Sequence, residues 1–185
     1  MSPRTSNTHP FRIEAVRPPG TVGRIGMTLC PGKKQKYALT GSWDRDLASD
    51  LEVIAGWGAQ ALVSLMEDHE FEELGVAALP EGAAERGIDW VHLPIPDGSI
   101  PEPGFEMAWA TRGTMLRRWL TAGQSIVLHC KGGLGRTGMI AARLLVEFGV
   151  EPAEAVRQVR YARPGTIETP AQEQYVYQWV PVPPR

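Results

Sequence analysis

The chain has 185 residues, 43% of them hydrophobic and 22% charged, with a formal net charge of -2. That length allows one domain with a real core and is short for two. Near-neutral charge gives no reason to expect nucleic acid or an anionic membrane as partner, and no apolar run approaches a membrane span. The only cysteines, Cys30 and Cys130, exclude a disulfide framework and make the cytoplasm the default compartment.

In chain order, Met1 to Pro10 is polar, lacks the apolar core of a secretion signal and reads as a flexible tail. Phe11 to Val16 alternates as a strand does, Pro18-Pro19-Gly20 turns the chain, and Thr21 to Leu29 is Gly-interrupted but extended. Cys30-Pro31-Gly32 opens a loop into Lys33-Lys34-Gln35-Lys36. This basic run reads as solvated surface, with a patch for a partner or phosphorylated substrate as the other reading. Asp44 or Asp46 caps a helix predicted to about Gly58, with Leu47, Leu51, Ile54 and Ala55 on one face. Ala61 to Met66 is the next strand, Glu67 to Leu74 and Pro80 to Arg86 are short helices, and Trp90 to Ile95 is a further strand.

A Pro/Gly-rich loop over 95–103 precedes a helix from Phe105 to Leu120. Ser125 to His129 is an apolar strand, and after a glycine-rich loop Met139 to Val146 continues as helix, closing at Gly149. Pro152 starts a helix through about Ala162, Pro170 to Trp179 forms the last, and 181–185 is a proline-rich tail. Alternating strand and helix signals over 11–180 predict one α/β layered domain with a largely parallel sheet.

The chemistry concentrates in Cys130-Lys131-Gly132-Gly133-Leu134-Gly135-Arg136-Thr137. A strand, a Gly-rich loop and a helix start gather backbone N–H groups around one point, with the positive end of the helix dipole aimed at it. Lys131, Gly132, Gly133, Leu134, Gly135 and Arg136 then form an anion cradle. A cysteine beside a helix N-terminus and cations loses its proton easily, so Cys130 is the candidate nucleophile. Arg136 offers a planar fork for two phosphate oxygens, and Thr137 has a hydroxyl to donate to the sulfur. A nucleotide-binding P-loop needs Lys followed by Ser or Thr after its last glycine, and Arg136 stands there instead. Expelling an alkoxide or phenolate needs a positioned acid. Asp97 sits on a Gly/Pro loop directly after a strand, where a movable lid belongs, with Glu102 in reserve. No Cys-x-x-Cys or His-x-x-x-His spacing suggests a metal site.

The string from His129 to Thr137 resembles the HCxxGxxR(S/T) signature of the cysteine-dependent protein tyrosine and dual-specificity phosphatases. That resemblance implies a three-layer protein tyrosine phosphatase-like fold, a central mostly parallel sheet flanked by helices. It implies a phosphoric monoester hydrolase acting on phosphotyrosine, and on phosphoserine or phosphothreonine, through a cysteinyl-phosphate intermediate without a cofactor. It also implies that His129 orients the loop and that phosphate, sulfate, vanadate or tungstate fits the cradle. Arg163-Pro164-Gly165-Thr166-Ile167-Glu168-Thr169-Pro170-Ala171-Gln172 looks like the RPGxIxT…Q segment of several dual-specificity phosphatases, where a glutamine helps place the attacking water. Gln172 fits by spacing, with Gln174 as substitute.

Further segments narrow the likeness to the cyclin-dependent kinase inhibitor 3, or kinase-associated phosphatase, family. They are Leu29-Cys30-Pro31-Gly32, Asp46-Leu47 with Asp50-Leu51, and Gly87-Ile88 leading to His92, Pro94, Ile95 and Asp97-Gly98. The substrate this implies is a phosphorylated protein, a kinase among the candidates. Three other activities share part of the pattern. An inositol-lipid phosphatase carries a second cradle lysine where Leu134 stands, a phosphate-reading pseudophosphatase lacks the cysteine, arginine or acid, and a sulfurtransferase of the rhodanese type lacks the Arg136-Thr137 pair. Cys30 is a buried small apolar residue or a reversible disulfide partner of Cys130.

Overall fold

The computed structural model describes residues 2–180; the proline-rich tail predicted at 181–185 lies outside them. Five strands form the main sheet in the order β1-β2-β7-β5-β6: β1 (Glu14–Val16), β2 (Ile25–Thr28), β5 (Ala59–Ser64), β6 (Asp89–His92) and β7 (Ser125–His129). Only β1 runs antiparallel, on one edge; β2, β7, β5 and β6 are mutually parallel. Every residue of β2 and β7 is buried, as expected where helices cover both faces of a parallel sheet. The strands predicted from Phe11 and Thr21 are thus present with trimmed ends, and those predicted from Ala61 and Trp90 start two and one residues earlier and end sooner.

Two layers of helix enclose the sheet. On one side α1 (Leu47–Gly56) and α3 (Leu79–Ala84) pack on each other and against β5 and β6. Asp46 caps α1 by accepting from the Ser49 amide at 2.7 Å, which selects Asp46 over Asp44. On the other side α4 (Pro103–Thr121), α6 (Pro152–Ala162) and α7 (Pro170–Tyr177) surround α5 (Gly135–Glu147), whose residues 135–146 are all buried. Arg143 of α5 is buried too, bonded to Glu106 and Glu147 and stacked 3.9 Å from the Trp179 ring. The short α2 (Asp68–Glu73) follows β5. No described helix is long and apolar enough to cross a membrane.

Two expectations change. The basic run is not all solvated surface: residues 34–44 fold into a hairpin, β3 (Lys34–Ala38) with β4 (Gly41–Asp44), and Lys33 at its base is only 5% exposed. Charge masks the alternation in that run, and the partner strand starts at a glycine. The segment read as a flexible tail is also laid down on the body. Arg4 exchanges backbone hydrogen bonds with Ser42 and Asp44, the Ser6 hydroxyl donates to Asp50, and the His9 carbonyl accepts from Arg45. Arg45 and Asp50 are a buried two-point ion pair, at 2.8 and 2.9 Å, and their spare valences hold the polar N-terminal segment.

Candidate active site

β7 is the middle strand of five, so Cys130 leaves the sheet at the carboxyl end of its centre, the usual location for a ligand crevice in a parallel sheet. The register sets Thr28 and Ser64 on either side of His129. Residues following all three strands therefore converge: Cys30 after β2, Leu65 to Glu70 after β5, Cys130 after β7. The loop closes into α5, whose first turn has no side-chain cap. Its first amides have no side-chain acceptor, the arrangement that suits an anion at a helix N-terminus.

Loop shape depends on glycine at two points. Gly133 has φ +69°, and a side chain there would run into the Thr28 carbonyl. A side chain at Gly135 would meet the Glu168 carboxylate and the Gln172 carboxamide. From outside, Arg163 donates to two successive loop carbonyls, Nε to Gly133 O at 2.6 Å and Nη2 to Gly132 O at 3.2 Å, while Nη1 pairs with Glu14. In a trans peptide C=O and N–H point opposite ways. Drawing the Gly132 and Gly133 carbonyls outward therefore turns the Gly133 and Leu134 N–H groups inward. The segment carrying Arg163 is fixed by the Ile167 amide donating to Leu134 O at 3.3 Å. Ile167 has φ +59°, strained for a β-branched residue and held by its neighbours.

Arg136, 1% exposed, is gripped by Glu70: Nη1 to Oε2 at 2.6 Å and Nη2 to Oε1 at 2.9 Å, with Nη1 also donating to the Ile95 carbonyl at 3.0 Å. Burial pushes the Glu70 carboxyl up, but the Arg136 hydrogen bonds and the Glu67 amide outweigh it and leave the group below the usual carboxylate range. Burial likewise opposes the guanidinium charge, and Glu70, Cys130 and Asp97 overcome that penalty. Asp97 lies 3.0 Å from Arg136 Nη2, and Lys131 Nζ sits 3.9–4.0 Å from Glu70, Glu73 and Asp97. His129 is wholly buried. Trp90 donates to Ser64 Oγ at 2.9 Å, and Ser64 Oγ also shares a hydrogen bond with His129 Nε2 at 2.5 Å. Burial pushes the imidazole pKa down to about 3, so the ring is neutral at physiological pH.

This geometry agrees with what known proteins show. A family model described as a polymorphic toxin system DSP-PTPase phosphatase matches residues 41–150, which include Asp97, Cys130 and Arg136. The chain belongs to this phosphatase family. Cyclin-dependent kinase inhibitor 3 of Rattus norvegicus is 29% identical over 158 residues, 84% of this chain and 71% of the relative. The crystal structure of kinase associated phosphatase with its catalytic cysteine substituted by serine superposes with a TM-score of 0.78 at 25% identity, covering 91% of this chain and 93% of that one. Tk-PTP in its active form gives 0.65 at 25% identity, covering 86% and 95%. The enzyme is thus a dual-specificity protein phosphatase, a phosphoric monoester hydrolase with the predicted α/β fold.

The predicted site residues of this phosphatase do not all behave as expected. Cys130, Arg136, Lys131 and Asp97 converge; Cys130 is buried, while Gly132 of the loop is exposed and Lys131 and Leu134 are half-buried. Thr137 is buried but its hydroxyl has no hydrogen-bond partner, so the contact to the Cys130 sulfur is not made in this geometry. Gln172 is not a helix-surface residue. It is fully buried at the third position of α7, its oxygen accepting from the Glu168 and Thr169 amides and its nitrogen donating to the Ser99 carbonyl at 3.2 Å. Capping the helix and bracing the loop of Asp97 leave one N–H uncommitted, beside Gly135. Both cysteines are free, and burial pushes the Cys30 thiol pKa up. Sequence reasoning misses Glu70 and Arg163 as site residues. Arg163 opens the RPG segment, which is the signal that could have found it. Glu70 stands at the third position of a capping box, which reads as local helix chemistry. Among the described residues no group of three His, Cys, Asp or Glu side chains has metal-holding geometry.

Proposed function

We propose that Cys130 attacks the phosphorus of a phosphorylated side chain while the Arg136 fork and the loop amides hold its equatorial oxygens. The observation that carries this is the buried two-point grip of Glu70 on Arg136 at the end of the loop that Cys130 opens, with Asp97 at the same guanidinium. A dianion seated on Arg136 brings like charge against Asp97, and the repulsion is relieved when the carboxyl carries the proton it passes to the leaving oxygen. Donors fixed in advance of the reaction stabilise the transition state without reorganising. Water then cleaves the cysteinyl phosphate, and the free N–H of Gln172 beside Gly135 is available to orient it. His129 holds the strand end through Ser64 and transfers no proton; Thr137 serves the sulfur only by turning its hydroxyl.

The substrates we infer are phosphotyrosine and phosphoserine or phosphothreonine in proteins. The likeness to kinase associated phosphatase supports a kinase among them, and two free cysteines support a cytoplasmic setting. The test is turnover of p-nitrophenyl phosphate and a phosphotyrosine peptide by Cys130→Ser and Asp97→Asn. Cys130→Ser should lose turnover while still binding tungstate, and Asp97→Asn should lose about 10²–10⁴-fold in kcat on the peptide. Turnover persisting in Cys130→Ser would remove the proposed nucleophile.

A further inference from the structure

Lys33 is the one lysine of the basic run that is buried. Its backbone is pinned on every side: its amide donates to the Cys30 carbonyl at 3.3 Å, its carbonyl accepts from Arg45 at 3.1 Å, and the preceding Gly32 amide donates to Asp50 at 2.9 Å. The same loop touches the cradle through the Cys30 amide and the Lys131 carbonyl, 3.5 Å apart. The residue is 5% exposed, and among the described residues its ammonium has no hydrogen-bond partner and no carboxylate within 4.0 Å. What it has is the face of Trp43, 5.4 Å from Nζ, which props the stem.

The ammonium opens into a groove of about 360 Å³ between the β3–β4 hairpin and the cradle, bounded also by Lys131, Leu134, Asp97 and Glu168. Lys34 pairs with Asp44 at 2.7 Å and Lys131 is shared among three carboxylates, so Lys33 is the cation of this groove left uncompensated. The buried stem sets the ammonium at the groove wall, and no carboxylate of the described residues stands beside it there. Burial lowers its pKa, while Cys30, Cys130 and Asp97 work against that. The arrangement makes sense if the anion is supplied from outside.

We propose that Lys33 is a second anion contact of the substrate groove, selecting phosphorylated polypeptide segments that carry another acidic group, carboxylate or phosphate, beside the phosphate being removed. This rests on the phosphatase reading of the cradle and adds the substrate class. A single free cation, flanked by Asp97 and Glu168 and by the apolar Ala38, Leu39 and Leu134, suits a peptide with one extra negative charge. The two carboxylates repel a densely charged inositol polyphosphate.

The experiment compares kcat/KM for two phosphotyrosine heptapeptides that differ only in flanking residues, glutamates in one and glutamines in the other. The wild-type enzyme should prefer the glutamate peptide by about tenfold, the scale of one charge-assisted hydrogen bond, and the preference should fall as salt is raised. Lys33→Met should bring the ratio near one, Lys33→Arg should restore most of it, and Lys36→Met, an exposed hairpin position, should leave the wild-type ratio. Melting curves check that each variant folds, and the salt series on the wild type stands even if Lys33→Met does not. A wild-type ratio near one, or an undiminished ratio in folded Lys33→Met, overturns the proposal. So does inositol hexakisphosphate hydrolysis faster than either peptide and slowed by Lys33→Met. Failure of the wild type on p-nitrophenyl phosphate would instead overturn the phosphatase reading beneath it.

Discussion

Glu70→Gln tests how the cradle is held. The Glu70 carboxylate accepts two bonds from Arg136 and one from the Glu67 amide at 2.8 Å, and is 1% exposed. Glutamine keeps one acceptor and turns an NH₂ toward the guanidinium, leaving a buried cation with a donor facing it. Removing one partner of a buried ion pair costs about 3–5 kcal/mol, and the retained oxygen puts this change near the lower end. For a chain of this size about 3 kcal/mol lowers Tm by 6–12 °C. The Arg136 fork, no longer held at two points, should shift, and a displacement near 1 Å costs about 100-fold in rate. The assays are thermal unfolding, kcat/KM on p-nitrophenyl phosphate and tungstate affinity. The folded-state pKa of Glu70 lies below its unfolded value, so its stabilising contribution is present above about pH 4.3 and fades as pH falls through the folded value. The wild-type advantage over Glu70→Gln should therefore shrink in acid. A variant with reduced Tm but wild-type kcat/KM and tungstate affinity would refute the claim that Glu70 positions Arg136.

Arg163→Met should release the Gly132 and Gly133 carbonyls and let their peptides turn. Tungstate binding and kcat should fall together by about tenfold or more, and Arg163→Lys, lacking the fork, should recover only part. His129 supplies a pH prediction. Its pKa is about 3 in the fold against about 6.5 in the unfolded chain, so the unfolded chain takes the proton first. Its contribution is intact above about pH 6.5 and lost toward pH 3, at up to about 1.4 kcal/mol per pH unit. Urea unfolding from about pH 7 to 4 should show this slope in the wild type and a shallower one in His129→Asn; equal slopes would contradict it.

The strand, loop and helix around Cys130 were legible in the sequence because their determinants are local. An apolar run makes a buried strand, closely spaced glycines let a loop turn its amides inward, and the positions of Cys130 and Arg136 follow from the five residues between them. Asp97 was legible because proline and glycine mark its loop. The helix from Pro152 declared itself in the same way; the one read from Phe105 starts at Pro103, and the choice of Asp46 over Asp44 as cap came from the structure.

What only the tertiary structure decided lies between residues far apart in sequence. Glu70 and Arg136 are 66 residues apart, Arg163 and the Gly133 carbonyl 30, and their meeting is set by parallel register about β7. A charged side chain buried against a distant partner carries no local periodicity, so Glu70 looks like a helix cap and Lys33 like solvated surface until the sheet brings them to the cradle. Gln172 was singled out by its spacing, while its burial and its bond to the Ser99 carbonyl, which brace the loop of Asp97, could be seen only in the fold. Chain chemistry near Cys130 names the reaction; the packing of three strand ends fixes which charges meet around its loop.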